Sequence, residues 1–226
     1  MISNLPVFVN VLFIITTSLT IILFCKATKN PKSSLVILLS WMVFQGALGL
    51  SGFYKTTDTF PPRFALLALP AMLFIIILFV TARGRVYLDS LDTKALTLLH
   101  IVRIPVELCL YWLFLQKVIP QLMTFEGRNF DIIAGLTAPL VFYFGYAKKR
   151  LNKKILLLWN FICLCLLLNI VINAVLSAPS SFQQFAFEQP NIAILYFPFV
   201  WLPCCVVPLV LLAHLVCIRK LIYQRA

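Results

Sequence analysis

Apolar residues run along this chain in seven long blocks, at 5–25, 34–53, 62–82, 95–117, 131–147, 155–176 and 192–218. Short polar or basic stretches separate them. A helix needs about 20 apolar residues to cross a bilayer, and the blocks cluster around that length, the fifth being the shortest. They predict an all-α integral membrane protein of seven transmembrane helices, with residues 1–226 forming one membrane domain and no soluble module. No basic stretch precedes the first block and no small-residue cleavage site follows it, so it reads as a retained helix rather than a signal peptide.

The basic residues between the blocks alternate in number. The first loop holds Lys26, Lys29 and Lys32, the third Arg83, Arg85 and Lys94, and the fifth Lys148, Lys149, Arg150, Lys153 and Lys154. The tail adds Arg219, Lys220 and Arg225. The second and fourth loops hold only Lys55, Arg63, Lys117 and Arg128, and the sixth, 177–191, holds none. Basic loops stay in the cytoplasm, so the N-terminus is expected outside and the C-terminus inside. The expected location is a cytoplasmic (inner) membrane. Aromatic residues crowd the external turns, Phe53, Tyr54 and Phe60 in one and Phe182, Phe185 and Phe187 in another, at the depth where interfacial rings settle.

Composition sharpens this picture. The chain is 62% hydrophobic with a mean hydropathy of +1.00, where soluble domains are about 45–50% apolar. Lipid is therefore the expected solvent. A net charge of +12 would suggest nucleic acid in a soluble protein, but here the cations are topology signals, and nucleic acid is excluded as a partner. The seven cysteines lie in or at the ends of apolar blocks, outside the candidate external loops, so they read as packing residues rather than disulfides. The first and fifth blocks are each followed by a basic loop and then a Trp, Trp41 or Trp159. That layout is compatible with a 3+1+3 arrangement around a lone fourth helix. Seven helices with an external N-terminus also resemble microbial rhodopsins, but the seventh block has no deep lysine for a retinal Schiff base.

The fourth block carries the candidate chemistry. His100, Arg103, Glu107 and Tyr111 are spaced by three, four and four, which sets them on one helical face. A charge at the centre of a span costs about 2.5–3.5 kcal/mol, so such residues face the bundle interior or a cavity. Pro105 between the two charges removes an amide donor and frees the carbonyl of Ile101. This face is the expected ligand or proton site, with Glu107 titrating, Arg103 holding an anion or tuning Glu107, and His100 relaying protons. The plainer alternative is an Arg103–Glu107 pair, although Arg before Glu is the weaker order at this spacing.

Around it the sequence offers a second tier. Glu126, Arg128, Asn129 and Asp131, packed around Gly127, suit a cavity mouth or gate, and Asn129 or Asp131 suits a helix N-cap. Asn169 and Asn173 share a face of the sixth helix, and Gln45 lies in the second. They either bond between helices or line a polar path towards Glu107. Pro198, Pro203 and Pro208 predict a bent seventh helix. His100 and His214 fall at similar depth on the fourth and seventh helices, so a metal or haem held by two histidines is one cofactor option. The alternative puts His214 at the headgroups.

These features support three functions: a protein that binds or carries a small molecule or ion with proton coupling, a membrane-embedded enzyme or redox protein, or an assembly partner in a larger complex. Oligomer formation is compatible with each.

Overall fold

The structure is a computed structural model of the chain and describes residue 2 and residues 5–223. Arg225 of the basic tail lies outside the described residues. Every regular element among them is helical. The main helices are α1 (Val7–Ala27), α2 (Pro31–Leu50), α3 (Ala65–Val80), α4 (Ala82–Ser90), α5 (Thr93–Leu115), α6 (Ile132–Ala147), α7 (Lys153–Leu176) and α8 (Leu202–Tyr223). Helices α1, α2, α5, α7 and α8 are 20 to 24 residues long and apolar enough to cross a membrane. The bent pair α3 and α4 makes a sixth candidate if it counts as one span.

The third, fifth and seventh blocks depart most from expectation. The third ends at a bend of 95° between α3 and α4. Thr81 caps the new helix by accepting from the Gly84 amide at 3.1 Å. Only glycine fits at 84, because a Cβ there would lie 2.4 Å from the carbonyl oxygen of Leu78. Helix α6 has 16 residues, and its last turns, Phe142–Ala147, are π-helical downstream of Pro139, which cannot donate to the α ladder. The helix of the seventh block, α8, starts at Leu202 rather than 192 and opens with a π stretch, Leu202–Val206. The segment before it folds back instead, and the Ile192 and Ala193 amides both donate to the carbonyl of Val118, at 3.1 and 3.2 Å.

Prolines explain several interhelical bonds. Pro208 has no amide hydrogen for the carbonyl of Cys204 four residues back, and the indole of Trp41 on α2 donates to it at 2.9 Å. Pro70 in α3 likewise leaves the carbonyl of Leu66, and Gln45 Nε2 donates to it at 3.3 Å. Gln45 also accepts from the Tyr54 hydroxyl. Gln45 therefore repairs a proline break between helices, and its polar groups are spent there rather than on a path to Glu107.

Helix α8 is the most enclosed of the long helices and packs on α5 and α7, while α1 packs on α5 and α2. In α1 the hydroxyls of Thr16, Thr17 and Thr20 bond carbonyls four residues back at 2.7 to 2.9 Å, so they can be buried at little cost. Outward faces are apolar: Val36, Val43, Leu73 and Leu158 are 57 to 71% exposed. Apolar surface on this scale is rare on soluble monomers and marks contact with lipid or protein.

Candidate functional site

Helix α5 positions the site. Asp92 caps its start, accepting from the amides of Lys94 and Ala95 at 3.2 Å each. The α ladder is then interrupted by a 3₁₀ turn at His100–Val102 and resumes at Arg103. The break falls where Pro105 withholds a donor from Ile101, which is where the sequence expects a kink. Arg103 and Glu107 lie on the buried face beyond it, 2 and 1% exposed.

Helix α6 runs antiparallel to α5 at close range. A Cβ on Gly135 would lie 2.8 Å from Ile104 Cγ1 and 3.0 Å from the Ile104 amide nitrogen, so glycine permits this approach. Further along, Tyr146 lies beside Thr97 and Thr93. In this register α6 begins about level with Glu107, eight residues or about 12 Å short of the α5 end at Leu115. The chain between α5 and α6 therefore turns into the bundle instead of lying over it.

That inward turn delivers Asn129 and Asp131. The Asp131 carboxylate pairs with Arg103 Nε at 3.0 Å, and both side chains are buried. The Arg103 guanidinium also donates to the carbonyl of Cys163 on α7, at 3.3 and 3.5 Å. Asn129 Nδ2 donates to Glu107 Oε1 at 2.5 Å and to the Met123 carbonyl at 3.0 Å, while its Oδ1 accepts from the Asp131 amide at 3.0 Å. Arg103 thus turns to Asp131, not to Glu107 on its own helix. Glu107 Oε2 and Asp131 Oδ1 remain buried without a hydrogen-bond partner.

His100 and His214 meet one turn from Arg103. Their rings stack with centroids 3.8 Å apart and planes 17° apart, and both residues are fully buried. His214 Nδ1 bonds Asn160 Oδ1 at 3.0 Å. Trp159 sits edge-on to His100, centroids 5.6 Å apart, and its indole donates to Thr137 at 2.9 Å. Both His100 nitrogens and His214 Nε2 are without partners. The headgroup placement of His214 is therefore wrong. So is the haem option, since an iron with two axial histidines lies between their rings and these rings are in face-to-face contact. No group of three or more His, Cys, Asp or Glu among the described residues is placed to hold a metal.

The remaining candidates separate from this cluster. Tyr111 is half-buried, stacks on Phe125 with centroids 4.9 Å apart and meets Glu126, so it belongs to the loop surface. Glu126 and Arg128 are exposed. Asn169 donates to the Arg128 carbonyl at 2.8 Å and Asn173 to the Asn169 carbonyl at 2.9 Å, which pins the loop to α7. Of the four residues expected at a mouth, only Asn129 and Asp131 reach the charged cluster.

The model of one family, described as Domain of unknown function (DUF8737), matches residues 60–222. The chain belongs to the DUF8737 family. The DUF8737 match includes Arg103, Glu107, Asn129, Asp131 and both histidines, and leaves α1 and α2 outside. No curated protein and no solved structure matches this DUF8737 chain.

Proposed function

We propose that this is a multi-pass protein of a cytoplasmic (inner) membrane that binds or carries a small molecule or ion, coupled to protons, at the Arg103–Asp131–Glu107 cluster. In this reading seven segments cross the bilayer, the N-terminus lies outside and the C-terminus in the cytoplasm. The third and fifth crossings are the short helices α3 and α6. The alternating basic loops favour that count, and a 3+1+3 layout with α5 as the lone helix is compatible with it.

The charge balance of the buried cluster carries the proposal. One guanidinium faces two carboxyl groups, and each carboxyl group keeps an oxygen without a partner. A net charge left in an apolar interior costs several kcal/mol. The α6 N-terminus contributes only about half a positive charge. A proton or a small cation completes the balance. Glu107, which has an amide partner but no ionic one, is the group to carry it. Arg103 holds Asp131 and the inward loop in place. The His100–His214 pair, with three unpartnered nitrogens, is the next polar station towards the cytoplasmic end and suits proton relay.

Infrared spectroscopy of the purified protein tests this. A carbonyl band from a protonated buried carboxyl is expected near neutral pH, lost in Glu107→Gln and lost also in Asp131→Asn, where ionised Glu107 alone balances Arg103. Loss of the band on adding Na⁺ or K⁺ would assign a cation to the same place. A spectrum without the band, together with thermal stability indifferent to both cations, defeats the reading. For topology, reporters fused after Asp58 and after Arg150 should report opposite sides, and a shared side would break the seven-crossing scheme.

A further inference from the structure

Helices α2 and α3 are neighbours in sequence but make few contacts with each other. Both lean on α8 instead, and a cavity of about 490 Å³ opens between them. This volume is within the range of small-molecule sites, about 300–1,000 Å³. It lies away from the charged cluster and rests on different residues. Trp41 and Leu38 of α2, Phe74 and Ile75 of α3, and Leu209 of α8 make its walls, and Phe24 of α1 adds to them.

The cavity is polar at one end only. Asn30, Ser33 and Ser34 at the start of α2 line that end together with Tyr87 of α4, which meets Ser34. From Asn30 to Trp41 the cavity follows α2 for eleven residues, about 16 Å at the helical rise. A single leaflet is half of an apolar core about 30 Å thick. The cavity therefore has the depth of one leaflet and the polarity gradient of one leaflet.

Cations rim the polar end. Lys29 and Lys32 are exposed on either side of Asn30, and Arg83 and Arg85 are exposed on α4 within about one turn of Tyr87. The acidic groups nearest in sequence are two against these four cations, and one of the two is already charge-paired. Asp89 pairs with Arg219 at 3.0 Å, and Asp92 caps α5. The rim thus presents unbalanced positive charge where a headgroup would lie, next to a slot for an acyl chain.

We infer that the α2–α3 cavity is a binding site for one membrane lipid with an anionic headgroup. The headgroup contacts Lys29, Lys32, Ser33 and Tyr87, and one acyl chain runs inward between Trp41 and Phe74 onto Leu209.

The test uses the full chain in phosphatidylcholine vesicles. These carry a trace of either phosphatidylglycerol or phosphatidylcholine with a photoreactive group on the acyl chain. Phosphatidylglycerol should label the protein about fivefold more than phosphatidylcholine, as expected for a site beside two or more exposed cations. Its adducts should map to Trp41, Phe74 and the Leu209 turn. Lys29→Gln with Lys32→Gln, both surface changes, should bring the two lipids close to parity. Ala71 of α3 also lines the cavity, and Ala71→Trp should fill the slot and reduce labelling by about fivefold for either lipid. Glu107→Gln should leave labelling unchanged, which separates this site from the charged cluster. Equal labelling by the two lipids overturns the inference, as do adducts spread over the outward residues Val36 and Val43, which would mean annular lipid only. Labelling of a folded Ala71→Trp protein at the wild-type level also overturns it.

Discussion

Replacing Arg103 by methionine keeps the length of the side chain and removes the cation that faces Asp131 at 3.0 Å. The Asp131 side chain is 7% exposed, so water cannot take over the role of the guanidinium. Breaking a buried ion pair from one side typically costs about 3–5 kcal/mol. Losing the two contacts to the Cys163 carbonyl adds little, because at 3.3 and 3.5 Å they are long. The double change Arg103→Met with Asp131→Leu removes both charges, and apolar replacement of a whole buried pair is often neutral or stabilising. The double variant should therefore be more stable than Arg103→Met alone, with a coupling of about 3 kcal/mol between the sites. Unfolding in mixed micelles, followed by tryptophan fluorescence, measures all four corners of the cycle. Trp159 against His100 is a local reporter close to the change. If Arg103→Met costs under about 1 kcal/mol, as an exposed pair would, the buried-pair reasoning is refuted.

Two further outcomes follow from packing and surface charge. Gly135→Leu should destabilise by about 1–3 kcal/mol, the usual cost of overpacking, because the new Cβ would lie 3.0 Å from the Ile104 amide nitrogen and backbone yields less readily than a side-chain tip; an unchanged melting temperature would contradict the close α5–α6 approach. On α4, hydrogen bonding to Arg219 holds the Asp89 carboxyl below the usual carboxylate range. A depressed folded-state value contributes stability above the unfolded value of about 3.9, and that contribution is lost as pH falls through the lower folded value. The pair is partly exposed to solvent, so the effect stays under about 1 kcal/mol. Asp89→Asn should melt slightly below wild type at pH 6, with the gap closing towards pH 3, and a gap that widens on acidification would reverse the assignment.

The helices and the residues of the site were legible in the sequence to different degrees. Long apolar blocks bounded by charge mark α1, α2, α5 and α7 within a few residues, because a spanning helix leaves a local signature. The bend at Thr81 and the late start of α8 were not legible. The start of α8 depends on long-range bonds to Val118 from residues more than seventy positions later, while the bend rests on a short Thr81–Gly84 cap inside an otherwise unbroken apolar run. Arg103 and Glu107 stood out as charges in an apolar block, but their partners lie on a loop more than twenty residues away, and spacing along one helix could only suggest each other. Equal depth put His100 and His214 side by side in prospect. Whether they would stack or grip a metal depended on ring orientation, which the structure supplies. Asn160 stood out only as one of three asparagines in the sixth block that suit bonds between helices, with nothing to name His214 as its partner, and the Cys163 carbonyl had no signal, since a backbone carbonyl in an apolar helix points nowhere by itself.

The late start of α6 also bears on how the protein is made. Sixteen residues span about 24 Å as a helix, less where the turns are π-helical, against an apolar core of about 30 Å. Such a segment is a poor substrate for insertion by hydrophobicity alone, and the polar chain ahead of it would resist entering lipid. Helix α5 emerges from the ribosome first, with Arg103 already in place. If α6 crosses as proposed, pairing with Asp131 is what would draw the loop and α6 inward, and the charged cluster would then double as an assembly signal. Nascent chains lacking Arg103 should leave the 116–131 stretch at the membrane surface, where limited proteolysis would cut it.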